Sequence, residues 1–119
     1  MTFIVFVWIA LYQSAFANLK SERDYQLEWC AEHGGRTEIT LSDRTRVDCL
    51  FSNYAVEMDF ADKWAEAPFQ AMHYARLTGL NPGIVIICRK KGDVRKLKRL
   101  RDNLNFYNLD IKLWTINCK

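Results

Sequence analysis

Several features that would place this chain in a familiar class are missing from its sequence. It has no internal repeat, no low-complexity stretch and no linker, so its 119 residues can form one domain with a single modest core. No two of its four cysteines form a C-x-x-C pair, and neither of its two histidines stands at ligand spacing from a cysteine. These absences argue against a structural zinc site.

The N-terminal segment lacks charge. Residues 3–12 form an apolar run that is shorter than the ~20 residues a membrane-spanning helix needs. Ala15 and Ala17 follow at the spacing that a signal peptidase accepts, so residues 1–17 are predicted to be a signal peptide and residues 18–119 the mature domain. The protein would then be exported, periplasmic or secreted, with no membrane contact after cleavage. Because no Lys or Arg precedes the run, a buried N-terminal strand or helix is the alternative.

All four cysteines lie in the predicted mature domain, at Cys30, Cys49, Cys88 and Cys118. An even number of cysteines in a small exported domain favours disulfides, and three pairings are open. Four buried free thiols in a cytosolic protein are the alternative, which depends on whether the leader is a signal peptide. The formal net charge of +3 permits a polyanionic partner without requiring one.

The first half of the mature domain predicts a helix and then a three-stranded meander. Ser21 can cap a helix that starts at Glu22, because its hydroxyl can accept a backbone N–H of the first turn. Alternating or apolar runs at 36–41, 46–51 and 54–60 then predict three antiparallel strands joined by short turns.

The second half predicts helices that alternate with strands. Asp62 can cap a second helix, and Pro68 inside it predicts a kink or a later start. An apolar run at 84–88 is typical of a strand buried on both faces, and a helix at 93–107 and a strand at 109–116 follow. The predicted fold class is α/β with the order α-β-β-β-α-β-α-β. Its mixed central sheet is flanked by helices, and the last two strands lie parallel to their neighbours through right-handed crossovers.

Acidic residues interrupt the second and third strands of the meander. Glu57 and Asp59 are two residues apart and point to the same face of their strand, and the turn between the strands brings Asp48 close to Glu57. Burial of such like charges is costly unless a cation compensates, and clustered carboxylates suit Mg²⁺, Mn²⁺ or Ca²⁺. Lys63, at the start of the next helix, could reach the same site and stabilise developing negative charge.

Two structural alternatives stay open for this acidic cluster. The carboxylates could face solvent on an uncovered side of the sheet, with Lys63 as a surface ion pair. They could instead be held in salt bridges by Arg36, Arg44 or Arg46.

This arrangement resembles the PD-(D/E)XK nuclease superfamily, whose fold is restriction-endonuclease-like. The likeness covers nearly all of residues 21–119, and its most specific part is VEMDFADKWAEA followed by a helix with Gln70 and Tyr74. These residues are similar to those of a small bacterial branch of the superfamily. The resemblance implies an Mg²⁺- or Mn²⁺-dependent hydrolysis of phosphodiester bonds in DNA or RNA.

The resemblance also implies roles for individual residues. Asp48, Glu57, Lys63 and Gln70 would be catalytic residues, and Tyr74 would complete the glutamine–tyrosine helix. The metal would be held by Asp48, Glu57 and Asp59, with Glu28 as the glutamate that many members carry on the first helix.

One position departs from the superfamily pattern. The lysine expected two residues after Glu57 is replaced by Asp59, and Lys63 is the candidate to replace it. If Lys63 does not reach the site, the chain is a catalytically inactive member that serves as a binding or interaction protein. The basic residues between Arg89 and Arg101 form either a solvated helix face or a contact for nucleic-acid phosphates. A homodimer is compatible with this fold class, although no residue specifies one.

Overall fold

The computed structural model describes residues 20–119, so the predicted signal peptide lies outside the described residues. Three α-helices, five strands and one short 3₁₀ helix follow one another along this part of the chain. They are α1 (Glu22–Glu32), β1 (Arg36–Thr40), β2 (Arg46–Phe51), β3 (Tyr54–Phe60), the 3₁₀ helix (Ala61–Lys63), α2 (Ala67–Thr78), β4 (Asn81–Ile87), α3 (Asp93–Phe106) and β5 (Lys112–Ile116).

The five strands form one sheet in the order β1-β2-β3-β4-β5. β1, β2 and β3 pair antiparallel as a meander, whereas β3 pairs parallel with β4 and β4 parallel with β5. α2 connects β3 to β4 and α3 connects β4 to β5, as parallel neighbours require. The predicted α/β class and mixed sheet are therefore confirmed.

Both faces of the sheet are covered around β3 and β4. On one face, Trp29 of α1 packs with a cluster that contains Met58 and Val85. On the other face, Ala71 of α2 and Leu100 of α3 pack with a cluster built on β4. Side chains of β3 are thus buried on both faces, including positions at which the sequence places acids.

The start of α1 follows the prediction from Ser21. Its hydroxyl accepts a hydrogen bond from the backbone N–H of Asp24 at 3.1 Å, and its own N–H donates to the Asp24 carboxylate at 3.0 Å. This reciprocal capping box satisfies two backbone donors at the helix end.

α2 begins later than a cap at Asp62 would require. The helix starts at Ala67, and Pro68 lies in its first turn, where a missing backbone N–H removes no intrahelical bond. The predicted capping by Asp62 is wrong, because the Asp62 carboxylate forms ion pairs with Arg89 and Lys96 instead. The later start that Pro68 suggested is confirmed.

The bounds of the last two strands also differ from the predicted ones. β4 begins at Asn81, three residues before the predicted strand at 84–88. Gly83 fits there because a Cβ atom would lie 2.7 Å from the ring of Trp114 on β5. β5 begins at Lys112 rather than Leu109, since the backbone N–H of Leu109 bonds to the end of α3 at 2.9 Å.

Two disulfides join distant parts of the sequence. Cys30 on α1 is bonded to Cys49 on β2, and Cys88 after β4 is bonded to Cys118 after β5. They select one of the three pairings that the sequence leaves open, and they are consistent with a secreted protein.

Candidate active site

Three acidic side chains from β2 and β3 form an acidic cluster, defined by Asp48, Glu57 and Asp59, in which Asp48 is half-buried. Glu57 is 4% exposed and Asp59 is 3% exposed. Both point to the face of β3 that α2 covers. Pairing of Leu50 with Ala55 places Asp48 beside Glu57 across the two strands. The Asp48 carboxylate accepts a hydrogen bond from the backbone N–H of Met58 at 2.8 Å.

Burial raises the pKa of every member of the acidic cluster, and neighbouring carboxylates add to the effect. Burial raises the pKa of Asp48 to about 6 and that of Asp59 to about 7. The pKa of Glu57 rises furthest, because burial acts together with the charges of Asp48 and Asp59 on either side. Within the described residues the cluster therefore holds protons at neutral pH unless a cation takes their place.

Two carboxylate oxygens in the acidic cluster lack a hydrogen-bond partner. They are Oε2 of Glu57 and Oδ2 of Asp59, and both are fully shielded from solvent. Buried acceptors are normally satisfied because desolvation without a partner is unfavourable. A proton shared between the carboxylates, or a bound cation, would satisfy both oxygens.

Tyr74 closes the acidic cluster from α2. Its side chain packs with Val47 and Ala55 and is 9% exposed. Burial, followed by the charges of Glu57 and Asp48, raises the pKa of the Tyr74 hydroxyl. Tyr74 stays protonated, so it can donate a hydrogen bond to a carboxylate but cannot act as a base near neutral pH.

Lys63 and Gln70 lie at the outer side of the same region. Lys63 ends the 3₁₀ helix that follows β3, is exposed, and its charge lowers the pKa of Asp59 against the effect of burial. Gln70 is exposed and lies one turn before Tyr74 on α2. Both side chains are therefore accessible to a ligand that approaches from solvent.

Glu28, the glutamate expected as a ligand, forms an ion pair with Lys20 on the exposed side of α1. Its carboxylate is 54% exposed and binds the ammonium group of Lys20 at 2.8 Å. Glu22, one residue after the α1 cap, lies toward the cluster instead. Its Oε1 atom accepts from the backbone N–H of Phe60 at 3.4 Å, and its charge raises the pKa values of Asp48 and Asp59.

Sequence reasoning did not single out Glu22. An acid in the first turn of a helix already has a sufficient local explanation, because it interacts favourably with the helix dipole. Only the packing of α1 on the sheet brings the Glu22 carboxylate to the end of β3.

Both structural alternatives for the acidic cluster are wrong. The carboxylates of Glu57 and Asp59 do not face solvent, because α2 covers that face of the sheet. Across residues 20–119, no salt bridge joins Asp48 or Glu57 to any of the three arginines considered, Arg36, Arg44 and Arg46.

The acidic cluster fits a metal ion in its chemistry but not in its present arrangement. Its oxygen donors are the type that Mg²⁺ and Mn²⁺ prefer, and the orphaned oxygens of Glu57 and Asp59 are free to ligate. In the part of the chain that the structure describes, however, no group of three or more His, Cys, Asp or Glu side chains is placed to hold an ion. A metal ion would therefore bind only if these side chains rearranged.

Comparisons with protein-family models, curated proteins and solved structures find no match to this chain. Within residues 20–119, none of the helices has the length and apolar character needed to cross a membrane.

Proposed function

We propose that this domain is a metal-dependent nuclease of the PD-(D/E)XK type that hydrolyses phosphodiester bonds in DNA or RNA. The observation that carries the proposal is the acidic cluster, with its raised pKa values and its two orphaned oxygens. Such a group destabilises the fold, and carboxylates with strongly perturbed pKa values are concentrated at functional sites. The succession of helices and strands, with acids on β2 and β3, supports a restriction-endonuclease-like fold.

Each residue of the region has a role in this proposal. Asp48, Glu57 and Asp59 would hold the Mg²⁺ or Mn²⁺ ion, which when bound polarises a phosphate and lowers the pKa of a coordinated water. A substrate phosphate would lie at the solvent side of the cluster, within reach of the exposed side chains of Lys63 and Gln70. Lys63 would neutralise charge that develops on that phosphate.

Two residues of α2 would support the site without touching the reacting atoms. Tyr74 would hold Glu57 in place by donating a hydrogen bond from its hydroxyl group. Gln70, one turn earlier and exposed, would orient the substrate backbone by hydrogen bonds.

The test is hydrolysis of single- and double-stranded DNA and of RNA with Mg²⁺ or Mn²⁺, comparing the wild type with Glu57→Gln. We expect this variant to lose ~100-fold or more of the rate, the scale on which one preorganised electrostatic contact acts. Glu32→Gln is the matched control, since it makes the same chemical change at the exposed end of α1. Equal rates for Glu57→Gln and the wild type would rule out this active site.

The second candidate is a catalytically inactive binding protein that keeps the same fold. Asp59 favours it, because a carboxylate stands where the superfamily pattern has a lysine. Thermal unfolding in Mg²⁺, Mn²⁺ or Ca²⁺ separates the candidates, since an ion that binds only the folded state raises the melting temperature. If the protein is a nuclease, these ions should raise the melting temperature of the wild type but not that of Asp59→Asn. If it is an inactive member, they should not raise the melting temperature of the wild type.

A further inference from the structure

A second charged region lies at the C-terminal ends of β4 and β5. An open pocket of about 650 Å³ is lined there by five cationic side chains from three separate segments of the chain. We call it the basic pocket, and its cations are Lys20, Arg89, Lys90, Lys91 and Lys119. Ligands of open sheets with parallel strands generally bind at these ends of the strands.

Carboxylates neutralise only part of the charge in the basic pocket. Glu28 binds Lys20 at 2.8 Å, and Asp62 lies 3.2 Å from Arg89 and 3.4 Å from Lys90. Asp62 is also shared with a further cation, Lys96. Lys91 and Lys119 form no ion pair within the described part of the chain. The pocket therefore has an excess of positive charge that is open to solvent.

The cations after β4 are held on a well-fixed loop. Asp93 at the start of α3 is 1% exposed, and its Oδ2 atom accepts from the backbone N–H groups of Arg89 and Lys90 at 2.7 and 3.1 Å. The Arg89 guanidinium lies 3.5 Å from the centre of the Phe60 ring. The disulfide of Cys88 joins this loop to the segment that carries Lys119.

The fixed loop also determines how the basic pocket can recognise a ligand. Because Asp93 already occupies the amides of Arg89 and Lys90, these two groups cannot form a backbone cradle for an anion. Recognition must rely on side-chain charge, which favours ligands with several negative charges and makes affinity depend on salt.

We infer that the basic pocket binds a multiply charged phosphate anion, either a free polyphosphate or the successive phosphates of a nucleic-acid strand. Five cations around one opening suit a ligand with several negative charges better than they suit a ligand with a single carboxylate. The inference needs no hydrolysis and no metal. It therefore stands or falls independently of the acidic cluster.

The experiment uses the full chain, purified with both disulfides formed and kept in a chelator to exclude divalent ions. Binding of inorganic tripolyphosphate is measured by calorimetry, and binding of a labelled single-stranded DNA of about eight nucleotides by anisotropy. The pocket variant is Lys91→Glu with Lys119→Glu. The matched control is Arg99→Glu with Arg101→Glu, which makes the same charge change on the exposed side of α3.

We expect the pocket variant to weaken tripolyphosphate binding by about tenfold or more at about 50 mM salt, and the control to weaken it much less. Equal weakening by both variants, or no binding by the wild type, would overturn the inference. If the pocket variant also loses the oligonucleotide, the phosphates belong to nucleic acid. If it keeps the oligonucleotide, the ligand is a free polyphosphate.

Glu57→Gln separates this result from the proposed nuclease function. It should bind tripolyphosphate like the wild type, because the basic pocket does not include the acidic cluster. A loss of binding in Glu57→Gln would place the phosphate site at the acidic cluster and so overturn the assignment to the basic pocket.

Discussion

The acidic cluster and the basic pocket both gather charges of one sign, yet they differ in how the fold accommodates them. Glu57 and Asp59 lie under α2 with orphaned oxygens, and their pKa values are raised. The cations of the basic pocket lie at the surface, where Asp62 and Glu28 partly offset them. Like charges cost little where water screens them and cost several kcal/mol where a helix excludes water. The acidic cluster therefore needs a functional reason, whereas the basic pocket could persist without one.

Each region is attached to one disulfide, and removing either should have a large effect. Cys30→Ala with Cys49→Ala should lower the free energy of unfolding by about 3 kcal/mol, because the bond closes a chain loop whose entropy the unfolded state would regain. The bonded residues are separated by 19 positions, and those of the other disulfide by 30. Denaturant unfolding of Cys88→Ala with Cys118→Ala should therefore show a similar loss.

The two disulfide variants should differ in their response to divalent ions. Cys49 is next to Asp48 on β2, so losing its bond should reduce stabilisation by Mn²⁺, whereas losing the bond of Cys88 should not. An identical response to Mn²⁺ in the two variants would show that the first disulfide does not support the acidic cluster.

The acidic cluster should make the protein less stable as pH rises. Asp48 and Asp59 have pKa values of about 6 and about 7 in the folded state, against 3.8 for the unperturbed group. Between about pH 4 and pH 7 the folded protein thus keeps protons that the unfolded chain has already released. From about pH 5 to pH 8 Asp48 loses about one pKa unit of this stabilisation and Asp59 about two, so the free energy of unfolding should fall by roughly 4 kcal/mol.

Asp59→Asn tests the origin of that slope. This variant should flatten the pH dependence and be more stable than the wild type at about pH 8, because it removes a buried charge but keeps the shape. Urea unfolding at the two pH values measures both effects. A wild type whose stability increases over this range would contradict the proposed environment of the cluster.

A substitution beside the basic pocket should have the smallest effect on stability. The pH dependence that it tests has the opposite sign to that of the acidic cluster. The Lys96 ammonium, with Lys90 nearby, lowers the pKa of Asp62, so the Asp62 carboxylate contributes stability that is present at neutral pH and lost in acid. Asp62→Asn should slightly destabilise the protein at neutral pH, since exposed ion pairs contribute little. Thermal unfolding at low and high salt checks this, and a decrease larger than that of either disulfide variant would show that Asp62 is not a surface pair.

The sequence predicts which acids lie together in the candidate site better than it predicts the contacts of the residues around them. The two-residue spacing of Glu57 and Asp59 and the short turn before Tyr54 were enough to place three acids together. A plausible local role assigned Asp62 to a helix cap, and the superfamily resemblance assigned Glu28 to the site. Their actual partners, Lys96 and Lys20, lie 34 and 8 residues away along the chain.

The spacing of apolar and acidic residues alone specifies the α/β succession, the meander and the shared face of Glu57 and Asp59, because strand geometry repeats every two residues. Tertiary packing decides the disulfide pairing, the approach of Glu22 to the cluster and the burial that raises the carboxyl pKa values. Those properties depend on which surfaces meet across the sheet. α2 excludes water from the acids, whereas no helix or strand of residues 20–119 covers the basic pocket. Packing therefore decides where charge is costly and where it is available to a ligand.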